Sequence, residues 1–289
     1  MSSTDKFMDG KTSMVTGATS GIGKVTALEL ARQGSTVIVV GRNNEKSIAT
    51  VDYIKDKTGN SSVEFILADL SVQCGVRHLA EVFLSKYQRL DVLVNNAGVS
   101  MQKRQVTADG LEATFAVNHL SHFLLTNLLL DIMKRSHPAR IINVSSAMHT
   151  IAKMDFDNLQ GEKKFGCMTA YAQSKLANIL FTYELSRRLI GADVTVNAMH
   201  PGLVKTNFSA NTKGVAGLIW RFITLFAITP EKGAQTVVYL ATLPEVQNVT
   251  GKYFVKKKEV KSSTVSYDQS VAEQLWQVSA KLTGLPTSI

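Results

Sequence analysis

A short apolar run at residues 13–16 leads straight into Gly17-Ala18-Thr19-Ser20-Gly21-Ile22-Gly23. An apolar helical period follows through Val25, Leu28 and Leu30, and Gly34 closes it. The pattern is strand, glycine turn, helix. Glycines let a backbone turn tightly and come close to a pyrophosphate, and a helix N-terminus adds free N–H groups and a positive dipole end. The spacing is G-x-x-x-G-x-G, unlike the G-x-G-x-x-G of many dinucleotide sites. Its placement between a strand and a helix raises the value of the motif.

The alternation continues. Residues 36–40 form a β-branched run suited to a strand buried on both faces. Further strands are expected at 63–68, 91–94, 140–144, 194–198 and 253–255, with helices at 72–87, 176–189 and 230–242. Residues 111–133 read as two abutting helices with Asn118 near the junction. Such alternation specifies an α/β fold with one doubly wound parallel sheet and helices on both faces. With 289 residues, 45% of them hydrophobic, and no repeat or linker, the chain is expected to be a single domain over 1–289.

Ligands in such sheets lie beyond the carboxyl ends of the strands. The glycine turn, Arg42, Asp69, residues 95–98, Ser146 and Pro201-Gly202 all fall there. Where an acidic residue would hold the ribose of NAD, the chain has Gly41-Arg42. An arginine fork suits a 2′-phosphate, so NADP(H) is expected over NAD(H).

Tyr171 and Lys175 lie one helical turn apart on one face. A free tyrosine titrates near ~10, and a close ammonium favours the phenolate. The expectation is that burial and this one cation lower the tyrosine by about three units, roughly 4 kcal/mol of differential interaction. The pair could then pass a proton to or from a substrate oxygen.

Taken together, Thr16-Gly17-x-x-x-Gly21-Ile22-Gly23, Asp69-Leu70, Asn95-Asn96-Ala97-Gly98, Asn118, Ser145-Ser146, Tyr171-x-x-x-Lys175 and Pro201-Gly202-x-x-x-Thr206 resemble the short-chain dehydrogenase/reductase superfamily. The resemblance spans roughly residues 10–255. Asn158-Leu159-Gln160-Gly161-Glu162 and the run from Tyr171 to Phe181 resemble its branch of retinol dehydrogenases and related carbonyl reductases.

The resemblance implies a Rossmann-type fold with a small substrate lid at about 203–229. It implies Tyr171 as general acid or base and Lys175 as its activator and ribose contact. Ser146, placed 25 residues before the tyrosine, would hold the substrate oxygen. Asn118 would bend a helix and hold a relay water. Gly17, Thr19, Ser20, Gly21, Ile22 and Gly23 would carry the phosphates. Asp69, Leu70, Asn95, Ala97 and Gly98 would line the adenine side. Pro201, Gly202, Val204 and Thr206 would meet the nicotinamide.

Other features are read more plainly. Cys74 and Cys167 suggest neither a disulfide framework nor a metal site. His119 and His122 lack a third ligand, so packing is favoured and no metal is expected. His149 is divided between structure and site, and His200 is expected to fix the turn before Pro201. The formal charge of +9 suits an anionic ligand, but no nucleic-acid module is visible, so no nucleic-acid partner is expected. Lys256-Lys257-Lys258 reads as a solvated turn.

Residues 1–11 are polar and resemble no signal peptide, and a cytoplasmic protein is expected. Residues 214–228 are apolar, with Trp220, Phe222, Phe226 and the single charge Arg221. They are expected to close over a lipophilic carbonyl or alcohol substrate, and contact with a membrane surface and self-association are compatible with this reading. A buried core helix is the competing reading. The function expected is alcohol–carbonyl interconversion with NADP(H). The alternatives are an NAD-linked alcohol dehydrogenase of the same fold and a non-catalytic dinucleotide-binding regulator.

Overall fold

The computed structural model describes residues 7–202 and 228–288. Val204, Thr206 and all but the last two residues of the 203–229 segment lie outside the described residues.

Eight strands form one sheet. They are β1 (Thr12–Thr16), β2 (Thr36–Gly41), β3 (Val63–Leu67), β4 (Val92–Asn95), β5 (Ala139–Val144), β6 (Val194–His200), β7 (Lys252–Val255) and β8 (Lys258–Glu259). Their order is β3-β2-β1-β4-β5-β6-β7-β8. All pairings are parallel except the β7–β8 hairpin. The strand order reverses between β1 and β4, which opens the crevice where ligands of such sheets bind.

The strands alternate between two apolar layers. Met14, Ile38, Val40, Leu93 and Ile141 face one, with Phe83, Phe123 and Trp276. Val15, Val37, Val39, Val94 and Ile142 face the other, with Leu30, Ile54 and Val237. Both faces of the central strands are therefore dry, as β-branched runs in a covered parallel sheet require.

Among the described residues the α-helices are α1 (Gly21–Arg32), α2 (Asn44–Thr58), α3 (Gln73–Lys86), α4 (Ala113–Phe115), α5 (Ser121–Arg135), α6 (Cys167–Arg188), α7 (Pro230–Thr242) and α8 (Gln269–Thr283). Within the 111–133 region Ala113 begins a continuous helical rod that runs on to Arg135. A π-turn over Ala116–Leu120 joins α4 to α5, in place of the expected junction of two helices. The wider turn adds a residue without breaking the helix, and it contains Asn118.

Helices α2 and α8 lie outside the sequence expectation. Asn43 caps α2 by accepting from the Lys46 N–H, and Asp268 caps α8 by accepting from Ser270 and Val271. Lys256 and Lys257 form the β7–β8 turn, both at positive φ and exposed.

Candidate active site

The carboxyl ends of β1 and β4 are stitched together by side chains. Thr16 Oγ1 accepts from the N–H groups of Asn96 and Ala97 at 2.9 and 3.0 Å. Asn96 Nδ2 donates to the Thr16 carbonyl at 2.8 Å. Gly17 sits at φ +63, and a Cβ there would lie 2.9 Å from Ala97 Cα. This position needs glycine both for its backbone and for the close approach.

Ser20 stands at the N-cap of α1 without using its side chain as a cap. Thr19 is half-buried, and Gly21, Ile22 and Gly23 form the first turn of α1. That arrangement aims helix N–H groups at the mouth of the crevice, as an anion site does.

Arg42 is exposed, one residue beyond β2. Gly41 before it is tightly flanked: a Cβ would lie 2.5 Å from Thr19 Cγ2 and 2.9 Å from Ser47 Oγ, so those side chains would have to shift to admit one. Asp69 is exposed and folds back to accept from the Ser71 N–H and hydroxyl. Leu70 is buried under it.

Asn95, among the residues expected to line the adenine side, has its side chain committed within the fold. It is fully buried, and Nδ2 donates to Thr126 Oγ1 and Asn143 Oδ1, both at 2.9 Å. Asn143 passes the ladder on to Thr182. Ala97 is buried and Gly98 is exposed to the crevice. A Cβ on Gly98 would lie 3.4 Å from Lys175 Nζ and 3.5 Å from Asn118 Oδ1. Gly98 thus keeps open the space in front of both.

Asn118 is tied down on every side. Oδ1 accepts from the Val99 N–H at 2.7 Å, and Nδ2 donates to the Val99 carbonyl and to Ser174 Oγ, both at 2.9 Å. The adjacent serines separate. Buried Ser145 donates to the Lys175 carbonyl at 2.7 Å, whereas half-buried Ser146 is hydrogen-bonded to Tyr171. Lys175 is 3% exposed, donates to the Val144 carbonyl at 3.1 Å, and places Nζ 5.6 Å from the Tyr171 ring centroid.

Burial pushes the Tyr171 phenol up, and the Ser146 hydrogen bond pulls it partly back. This corrects the expectation that burial would help lower it, because a dry site disfavours the charged phenolate. Burial also pushes Lys175 down to about 8. Pro201 and Gly202 are half-buried, and His200 Nδ1 accepts from the Gly202 N–H at 3.1 Å, which secures the turn.

A family model described as short chain dehydrogenase matches residues 11–214. The chain belongs to the short chain dehydrogenase family. It is similar to human retinol dehydrogenase 13, with 46% identity covering 96% of this chain and 85% of that protein. Human polyprenol dehydrogenase is 43% identical, over 95% of this chain and 86% of that protein. Among solved structures, the Pseudomonas aeruginosa RhlG/NADP active-site complex superposes with a TM-score of 0.70 at 27% identity, covering 86% of this chain and 96% of that one. Within the family this chain falls in the retinol dehydrogenase-like branch.

This short chain dehydrogenase is therefore an oxidoreductase of alcohol and carbonyl groups, and its family binds NAD(H) or NADP(H). The residues present fit such a dinucleotide. The uncapped start of α1 offers N–H groups to phosphates, and exposed Gly98 adds no side chain in front of Lys175.

The other candidates settle into structural places. His119 and His122 are buried, and His119 bonds Asn178 and Ser279. His149 Nδ1 bonds the Ser146 carbonyl and Nε2 accepts from the Ser263 N–H, so it ties the serine turn to residue 263. Cys167, at the start of α6, lies 3.2 Å from Ser100 Oγ. Sequence reasoning passed over Asn178 and Ser174. Both follow Tyr171 on α6, and Asn178 falls on the same helical face as Tyr171 and Lys175.

Proposed function

We propose that this protein interconverts a lipophilic alcohol and its aldehyde or ketone with NADP(H), using Tyr171 as the proton donor and acceptor. The observation that carries the reading is the Ser146–Tyr171 hydrogen bond at the crevice, with Lys175 one turn further along the same helix. Ser146 holds the substrate oxygen beside the phenol. Tyr171 gives that oxygen a proton during reduction and removes it during oxidation. Lys175 supplies positive charge close to the phenol, and Asn118 fixes the backbone before Lys175 through Val99 and Ser174. The nicotinamide, when bound, supplies or accepts the hydride.

Arg42 is assigned to the 2′-phosphate. It is exposed just beyond β2, and Gly41 stands where a ribose-binding acid would be, tightly flanked by Thr19 and Ser47. The backbone of the glycine turn, Thr19 and Ser20 serve the pyrophosphate. Asp69, Leu70, Ala97 and Gly98 flank the adenosine, and Pro201, Gly202, Val204 and Thr206 serve the nicotinamide. The lipophilic substrate is supported by the relatives' names, retinol and polyprenol dehydrogenase, and by the apolar composition of residues 214–228. Peripheral contact of a cytoplasmic protein with a membrane surface belongs to the same reading; among the described residues no helix is long and apolar enough to cross a membrane.

The test is a cofactor-linked absorbance assay along n-alkyl aldehydes, with retinoids and steroids beside them, using NADPH and NADH in parallel. Each buried CH₂ contributes ~0.8 kcal/mol, so kcat/KM rises about three- to fourfold per carbon before levelling off. A flat chain-length profile sinks the lipophilic substrate, and a preference for NADH sinks the Arg42 assignment.

A further inference from the structure

Asn178 lies seven residues after Tyr171 and three after Lys175 on α6. It is fully buried. Its Nδ2 donates to the Asn118 carbonyl at 2.9 Å and to the Val144 carbonyl at 3.4 Å. The Val144 carbonyl is also the acceptor for Lys175 Nζ. Its Oδ1 faces His119 Nδ1 at 3.3 Å, and His119 Nε2 lies 2.9 Å from Ser279 Oγ on α8. His122 Nδ1 lies 3.5 Å from Nδ2, and its ring touches the Ala97 backbone. One amide thus joins the π-turn, the end of β5 and the C-terminal helix directly behind the lysine.

We propose that Asn178 is a positioning residue for proton transfer at Tyr171: it holds the carbonyl that seats Lys175 and the π-turn that carries Asn118, and it thereby sets the proton affinity of Lys175. The assignment rests on the proposed function for the reaction it serves, but not for the network itself. A carbonyl has two lone pairs, and here Lys175 and Asn178 take one each at Val144. A π-turn shifts the regular backbone pairing of a helix, and Asn178 binds the Asn118 carbonyl within it.

The titratable groups around Lys175 among the described residues are Tyr171 on its own helix and the imidazoles of His119 and His122 opposite. Burial lowers His119 to about 4 and His122 well below its usual value, so both are neutral near pH 7. Lys175 is then the single cation of the network. Its own depression to about 8 comes from dryness alone. Removing the amide opens a polar space that admits water, and hydration returns a buried lysine towards its ordinary value.

The experiment compares Asn178→Ala and Asn178→Asp with Thr182→Val, which removes the Asn143 bond and the Thr182 bond to the Asn178 main-chain carbonyl but leaves the Asn178 amide and Lys175 in place. Lys175 is titrated by NMR in protein carrying lysine labelled with ¹³C at the ε-carbon, without dinucleotide. The pH profile of turnover and the urea midpoint are measured on the same samples.

In Asn178→Ala, Lys175 is expected to titrate about one unit higher, and in Asn178→Asp higher still, because a carboxylate favours the ammonium. Turnover should fall about tenfold or more, with its pH profile displaced and nucleotide KM changed less than about threefold. Thr182→Val should lose stability yet keep both the titration and the profile. An unmoved Lys175 titration in either folded Asn178 variant overturns the proposal, and so does an equal shift in Thr182→Val. If Asn178→Ala does not fold, the small neutral Asn178→Ser takes its place, because the shift in Asn178→Asp includes the direct effect of its charge. A shifted titration in a protein whose wild type reduces no carbonyl supports the network and retires the proposed reaction.

Discussion

Ser145 Oγ is bonded to the carbonyl oxygen of Lys175 at 2.7 Å, and this bond separates two serines that look interchangeable. It commits Ser145 to the α6 backbone and leaves Ser146 for Tyr171. Ser145→Ala is expected to cost about 1 kcal/mol of stability, read as a lower urea midpoint. Ser146→Ala should leave that midpoint nearly unchanged and lower kcat about 10²-fold, as the loss of one preorganised donor does. The reverse pattern would exchange their roles.

Tyr171→Phe keeps the ring and removes the proton. Turnover is expected to fall by roughly 10²–10⁴-fold. Nucleotide affinity, followed by fluorescence titration, should hold, since the phosphates are assigned to the start of α1. Turnover above about a tenth of wild type would contradict a general-acid role.

Arg42→Ala should weaken NADP(H) binding by about 10- to 100-fold and leave NAD(H) nearly unchanged. Equal losses for both would give Arg42 another task. Gly41→Asp is expected to lower the melting temperature, because the new Cβ would force Thr19 and Ser47 to shift. The comparison needs only two titrations and a melting curve.

Folding should also depend on pH through Lys175. Its folded value of about 8 lies below the ordinary 10.5. Below pH 8 both folded and unfolded chains carry its proton. Between pH 8 and 10.5 only the unfolded chain does, so stability rises with pH in that window, by up to about 3 kcal/mol from this group. Tyr171 opposes the trend only as pH approaches 10 and above, since its folded value is raised. The urea midpoint of wild type minus that of Lys175→Met, measured from pH 7.5 to 9.5, should therefore climb. A flat difference would mean that Lys175 is hydrated.

Much of this was legible because it is local. A glycine turn, a β-branched run and an i,i+4 pair declare themselves within a few residues. Helix α2 hid because two of its four buried positions are Ser47 and Thr50, which blur the apolar stripe. Helix α8 was readable: Asp268 and Gly284 bracket it as cap residues, with Ala272, Leu275, Trp276 and Ala280 on one face.

The site was legible as residue types but not as directions. Of the neighbours Asn95 and Asn96, which one turns inward depends on Thr126 and Asn143, far along the chain. The tyrosine shift had the wrong sign for burial, because proximity to a lysine was weighed and the dryness around both groups was not.

Helix α8 reaches the site from behind, through Ser279 and the His119–Asn178 contact. Its residues are translated after every motif that carries the chemistry. The end of the chain thus closes a relay that its middle begins: Ser279 holds His119, His119 holds Asn178, and Asn178 shares a carbonyl with Lys175.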